Sequence, residues 1–91
     1  MLRLNCFIKV DEKNRQEVLD AARRLTAATL QQTGCIAYDI FESATRPEVM
    51  MICETWADDY ALKAHSESEV FIKEVTTMRS LSEMKLETFR F

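Results

Sequence analysis

Two neighbouring segments, Cys35–Glu42 and Val49–Thr55, are apolar on both faces of an extended chain, and no other feature narrows the fold as much. In the first, Ile36, Tyr38 and Ile40 alternate with Cys35, Ala37, Asp39 and Phe41. In the second, Met50, Ile52 and Glu54, continued by Trp56, alternate with Val49, Met51, Cys53 and Thr55. Strands apolar on both faces must be covered on both faces. Ser43-Ala44-Thr45-Arg46-Pro47 between them is short enough for a hairpin, with Pro47 outside the ladder or at its edge. Helices supply one cover, and the sheet of a second copy of the chain is predicted to supply the other. Size agrees: a chain of 91 residues buries only about 60–65% of its unfolded surface, and 47% hydrophobic residues exceed what one small core absorbs.

Residues 2–10 alternate Leu2, Leu4, Cys6, Ile8 and Val10 against Arg3, Asn5, Phe7 and Lys9, which predicts a strand with one apolar face. Asp11 to Asn14 reads as the turn out of it, and Asn14 with Glu17 has the spacing of a helix capping box. Val18, Ala21, Ala22, Leu25, Ala28 and Thr29 form a narrow apolar stripe at helical spacing. Gly34, the only glycine, is expected to stop that helix as its C′ residue. After Trp56, Asp58 or Asp59 caps a short helix that ends near His65, the only histidine. Ser66 with Glu69 reads as the cap of a further helix, whose buried side is Phe71, Val75 and Met78 with Val70 and Ile72. Met84, Leu86 and Thr88, alternating with Lys85, Glu87 and Phe89, give a last strand running to Phe91. The order β-α-β-β-α-β in a single domain, residues 1–91, predicts an α+β, ferredoxin-like architecture.

Several function classes are disfavoured. A formal charge of −3 and a pI near 5.1 leave no basic footprint for nucleic acid or an anionic membrane. No apolar run approaches the ~20 residues of a membrane span. The segment Met1–Ile8 lacks the apolar core and cleavage site of a signal peptide and reads as the first strand. Cys6, Cys35 and Cys53 are odd in number and form no Cys-x-x-Cys pair, which fits buried free thiols in a reducing cytoplasm. No phosphate loop, metal-ligand spacing or serine nucleophile motif is present, so neither a metal nor a bound cofactor is expected.

The most site-like stretch is Glu54-Thr55-Trp56 followed, nine residues after the tryptophan, by His65. An imidazole titrates near neutrality and could move a proton or orient a polar substrate, or it could tie one helix end to the next through a carbonyl near Ser66. Trp56 could stack on a planar ring, or plug the end of the sheet. Glu54 on an apolar face is either a carboxyl of raised pKa or one bonded to a serine, an arginine or strand-end amides. Tyr38 could donate a proton to a substrate oxygen, or be a buried ring whose hydroxyl reaches the sheet edge.

Together, Gly34-Cys35-Ile36-Ala37-Tyr38-Asp39, Glu54-Thr55-Trp56, Ala61-Leu62-Lys63-Ala64-His65 and Phe71 resemble the antibiotic biosynthesis monooxygenase (ABM) domain family. The pattern of that family is a glycine and a tyrosine on the second strand, Glu-x-Trp closing the third, and a helix ending in Ala-His. The resemblance covers nearly the whole chain and implies a ferredoxin-like βαββαβ fold with an antiparallel sheet. It also implies a homodimer that pairs its sheets into a dimeric α+β barrel. Its members include cofactor-free monooxygenases of aromatic or quinol substrates, haem-degrading enzymes, an isomerase of a phosphorylated sugar derivative, and proteins of no known activity.

From this resemblance the expectation is a small cytoplasmic homodimer that oxidises an aromatic or quinol-like metabolite, with no cofactor. His65 would be the acid/base, Asn5 and Tyr38 polar orienters, and Trp56, Glu54, Phe7 and Phe71 the substrate-binding wall. An isomerase of a small phosphorylated carbonyl compound, or a non-catalytic ligand-binding dimer, are the alternatives. Asn5, Trp56 and His65 stand where haem-degrading members carry the same residue types, but only Asn5 discriminates and haem degradation is not the reading adopted. The departure from the monooxygenases is the lack of an arginine near the Trp56–His65 helix, for which Arg3 is the candidate substitute.

Overall fold

A computed structural model describes residues 1–91. The chain runs β1 (Leu2–Val10), α1 (Glu12–Thr29), β2 (Cys35–Glu42), β3 (Val49–Trp56), α2 (Asp59–Ser66), α3 (Glu69–Leu81) and β4 (Ser82–Arg90). The strands form one antiparallel sheet in the order β2-β3-β1-β4, with the helices packed on one face. This is the α+β, ferredoxin-like arrangement that the pattern predicts, with the second helical unit broken in two at Glu67-Ser68.

The helix-facing side is set by parity. Leu2, Leu4, Cys6, Ile8 and Val10 on β1, and Met50, Ile52, Glu54 and Trp56 on β3, are all buried and lie opposite one another in register. They pack against Val18, Leu19, Ala21, Ala22 and Leu25 of α1 and Val75 and Met78 of α3. Small Ala21 and Ala22 allow α1 to lie close to its neighbours, and both are fully buried. A bidentate pair ties α1 to α3: Arg24 Nε donates to Glu74 Oε2 at 2.8 Å and Nη2 to Oε1 at 3.1 Å.

Several local expectations change. α1 begins at Glu12, with Asp11 in the N-cap position, so the Asn14–Glu17 pair lies inside the first turns rather than capping them. The second cap is Asp58, one of the two residues expected there, and its carboxylate accepts from Ala61 N at 2.8 Å. The third is Ser68, not Ser66: its hydroxyl accepts from Phe71 N at 3.3 Å. A bulge between Cys35 and Ala37 shifts the register of β2, so Cys35 faces Trp56 across the ladder. Ile36, expected beside Tyr38, is displaced to the surface and is 55% exposed. On α3 the buried set is Glu74, Val75 and Met78, while Ile72 is exposed. Of the cysteines, Cys6 is buried but Cys35 and Cys53 are half-buried; all are free thiols.

Gly34 does take a positive φ, +82°, but four residues past the C-cap Leu30. It closes the turn between α1 and β2, where its carbonyl accepts from Ala57 N at 2.9 Å. A Cβ at this position would overlap Ala61 Cβ on α2. Two requirements therefore meet at one residue: a left-handed backbone and a close approach of α2. That approach places the α1–β2 turn against the end of α2, where His65 lies.

The other face of the sheet carries Phe7, Phe41 and Phe89, which are about half exposed, together with half-buried Asn5, Met51 and Cys53. No element of the chain covers it. No helix is long and apolar enough to cross a membrane.

Candidate functional site

Between the helix-facing side of the sheet and α2 and α3 lies an open cavity of about 550 Å³. Two rungs of the ladder make its floor. One is Tyr38–Glu54–Leu4–Thr88, the other the run Ile52–Cys6–Leu86. Leu62 and His65 of α2, and Phe71, Val75 and Met78 of α3, close over it. The volume suits a small-molecule ligand, and the wall is apolar with a few convergent polar groups.

His65 is at the centre of the polar groups. It is 2% exposed, packed 4.6 Å (ring centroids) from Trp56, 4.9 Å and edge-on to Phe71, and 5.6 Å from Tyr38. Its Nδ1 lies 2.7 Å from Gln32 Oε1, and its Nε2 is buried without a partner. Burial disfavours the charged ring and lowers its pKa to about 4, so the imidazole is neutral at physiological pH. The end of a helix ordinarily favours an imidazolium, and here desolvation wins.

Glu54 is 6% exposed and accepts from Trp56 Nε1 at 2.9 Å through Oε1. Burial raises its pKa to about 7, against the smaller opposing effect of the indole N–H. Near neutrality this carboxyl is thus divided between its two protonation states, which suits a group that gives and takes a proton. Burial, then the Glu54 charge, push the Tyr38 phenol well above its ordinary range, so it can serve as a donor but not as a phenolate. Cys6 lines the floor with its thiol pushed up to about 11 by burial, which keeps it protonated and unreactive.

The structure brings His65, Tyr38, Glu54 and Phe71 to one cavity. Trp56 is fully buried behind them, in contact with His65 and Glu54; it backs the site and does not stand in its open wall. Asn5 and Phe7 are corrections. Both project from the opposite face of the sheet, in register with Cys53 and Met51, and neither reaches the cavity. The trio Asn5, Trp56 and His65 is therefore not assembled within the chain, and the one residue that favoured a haem reading lies elsewhere. Arg3 shares that open face and cannot reach the site. The arginine at the cavity is Arg79 of α3, with Lys63 of α2 beside the same opening. His65 bonds the side chain of Gln32, a partner that neither reading of the histidine in the sequence names. Gln32 had no signal in the sequence, because only the close approach at Gly34 brings its turn to α2. Cys6 had one, since it shares the parity of Leu4 and Ile8. No three His, Cys, Asp or Glu side chains converge as a metal site.

Comparison with known proteins follows the same architecture. The sequence profile of the family described as antibiotic biosynthesis monooxygenase matches residues 1–75. The chain is 30% identical over 90 residues to the Bacillus subtilis (strain 168) protein named "Putative monooxygenase YcnE", covering 99% of this chain and 95% of that one. It is 50% identical to a protein from Bacteroides thetaiotaomicron, described as of unknown function and a possible oxidoreductase. That crystal structure superposes with a TM-score of 0.97 over 99% of this chain and 96% of the other. A mutant form of SnoaB, a cofactor-independent oxygenase from Streptomyces nogalater, shares the fold at 17% identity, with a TM-score of 0.88 over 99% of this chain and 91% of the other.

Proposed function

Because the chain belongs to the antibiotic biosynthesis monooxygenase family, we propose that it oxidises a small hydroxylated aromatic or quinol-like compound with dioxygen, in the cavity beneath α2 and α3. The observation that carries this reading is a neutral, unpartnered imidazole in an apolar cavity beside a carboxyl that titrates near 7. His65 accepts the proton of the bound hydroxyl through Nε2. The attraction between imidazolium and bound oxyanion offsets the burial that otherwise lowers the pKa of His65. The electron-rich substrate ring that results is the reductant for dioxygen. One oxygen atom enters at a ring carbon that the keto tautomer carries as CH2, and this carbon becomes C=O. The other oxygen leaves as water, so the two C–H bonds supply the electrons and both hydrogens. Glu54 handles protons, Tyr38 orients the substrate oxygen as a hydrogen-bond donor, Phe71 packs on the ring, and Trp56 holds Glu54 and His65 in place. The largely apolar lining limits the water that reaches the reactive anion. The functional molecule in this reading is a homodimer joined through the open sheet face.

An isomerase acting on a phosphorylated carbonyl compound is the second reading, favoured only by the cations Lys63 and Arg79 at the opening. Dioxygen uptake with a panel of hydroquinones and naphthols separates the two. The proposal predicts substrate-dependent uptake that stops under nitrogen. Conversion of a substrate that continues unchanged under nitrogen overturns it.

A further inference from the structure

We propose that Gln32 is a positioning residue that holds His65 in the form protonated on Nδ1, leaving Nε2 as the acceptor for a ligand that carries an O–H group. This rests on the reading of the cavity as a substrate site, and Gln32 itself does not line that cavity.

The direction of the contact follows from the Gln32 amide. Its Nε2 donates to Ser68 Oγ at 3.3 Å, so Oε1 is the end that meets the ring. The Ser68 hydroxyl is fixed in turn: it donates to the His65 carbonyl at 2.7 Å and accepts from Phe71 N at 3.3 Å. An amide oxygen can only accept, so at 2.7 Å the imidazole nitrogen facing it must carry the hydrogen. A neutral ring with its proton on Nδ1 has its lone pair on Nε2.

That lone pair is buried and unmatched. Two nearby donors are already committed, and the Tyr38 hydroxyl makes no hydrogen bond to it. Trp56 Nε1–H is bonded to Glu54, and the Ser68 hydroxyl to the His65 carbonyl. Buried polar atoms are rarely left without a partner. Here the same side chain lines an open cavity, so the partner is supplied by what the cavity takes up. Such a ligand must offer a donor: a phenol, a hydroquinone or an enol qualifies, and an ether of the same shape does not.

His65 is the only histidine, so labelling histidine with nitrogen-15 gives a single ring spin system whose tautomer can be read directly. At mildly alkaline pH the parent is expected to show a protonated Nδ1 and an unprotonated Nε2. Gln32→Glu keeps an acceptor in place and should retain that form, whereas Gln32→Leu should populate the Nε2–H form. An Nε2–H ring in the parent, or a Gln32→Leu ring identical to that of the parent, overturns the role of Gln32. Saturating hydroquinone should move the Nε2 signal, and 1,4-dimethoxybenzene should leave it in place. Equal shifts, or none, overturn the ligand class. None of these readings needs turnover. An inactive protein with the expected tautomer would sink the monooxygenase reading alone.

Discussion

Glu54 and His65 are both held toward their neutral forms by burial, and their effects on stability run in opposite directions with pH. Glu54 binds its proton more tightly in the folded chain. Its contribution is present below its ordinary pKa of 4.5 and is lost as pH rises through about 7. His65 resists its proton when folded, so stability is lost as pH falls from 6.5 to about 4. Each shift corresponds to on the order of 3 kcal/mol. In the parent the two slopes offset each other across the weakly acidic range. Glu54→Gln should therefore gain stability over the parent as pH is raised from 5 to 8, by roughly 3 kcal/mol, in urea denaturation series. Parallel curves for the two proteins would show that Glu54 is not desolvated. Gly34 is the other residue on which the site depends. Gly34→Ala should cost roughly 2 kcal/mol or more, because it combines a positive φ with overlap against Ala61. It should also disturb the His65 ring signals, since the same turn carries Gln32.

Among the elements, the cap of α3 joins stability to the site. Ser68 Oγ serves Phe71 N, the His65 carbonyl and Gln32 at once, whereas Asp58 caps α2 through the single bond to Ala61 N. Asp58→Ala is expected to cost about 1 kcal/mol and Ser68→Ala about 2 kcal/mol in chemical denaturation. Equal losses would mean that the extra bonds of Ser68 contribute nothing. The strands were legible in the sequence because a period of two runs the length of β1, through most of β3, and along β2 beyond its bulge. The caps were less so: Asn14 and Ser66 satisfy a spacing rule, yet the backbone turns at Asp11 and Ser68. Ile36 was misplaced because nothing in Cys35-Ile36-Ala37 announces a bulge. Asn5 and Phe7 are a different case. Leu2, Leu4 and Ile8 already claimed the helix-facing side of β1, and parity alone put Asn5 and Phe7 opposite. The resemblance to haem-degrading proteins drew Asn5 toward a site that its strand position excludes.

For the whole molecule, the sheet has one face built into the site and one left open. Phe7, Met51 and Phe41 lie in a row across that open face, and Phe89 lies on the same face further along β4, beside Arg3. An apolar patch of this kind is expected to be covered, and the homodimer proposed above covers it with its own copy. Phe7→Glu should convert a dimer to a monomer in light scattering. A parent that is monomeric at high concentration would contradict the proposed assembly. The cavity lies on the other side of the sheet, so its chemistry is tested separately. The most direct measurement is turnover of a hydroquinone or naphthol under isotopically labelled dioxygen, for the parent and for His65→Ala. Direct oxygenation in the His65 cavity predicts one labelled oxygen atom in the organic product and the other in water, with incorporation lost in His65→Ala. Product formed without label, or labelled equally well by His65→Ala, would contradict it.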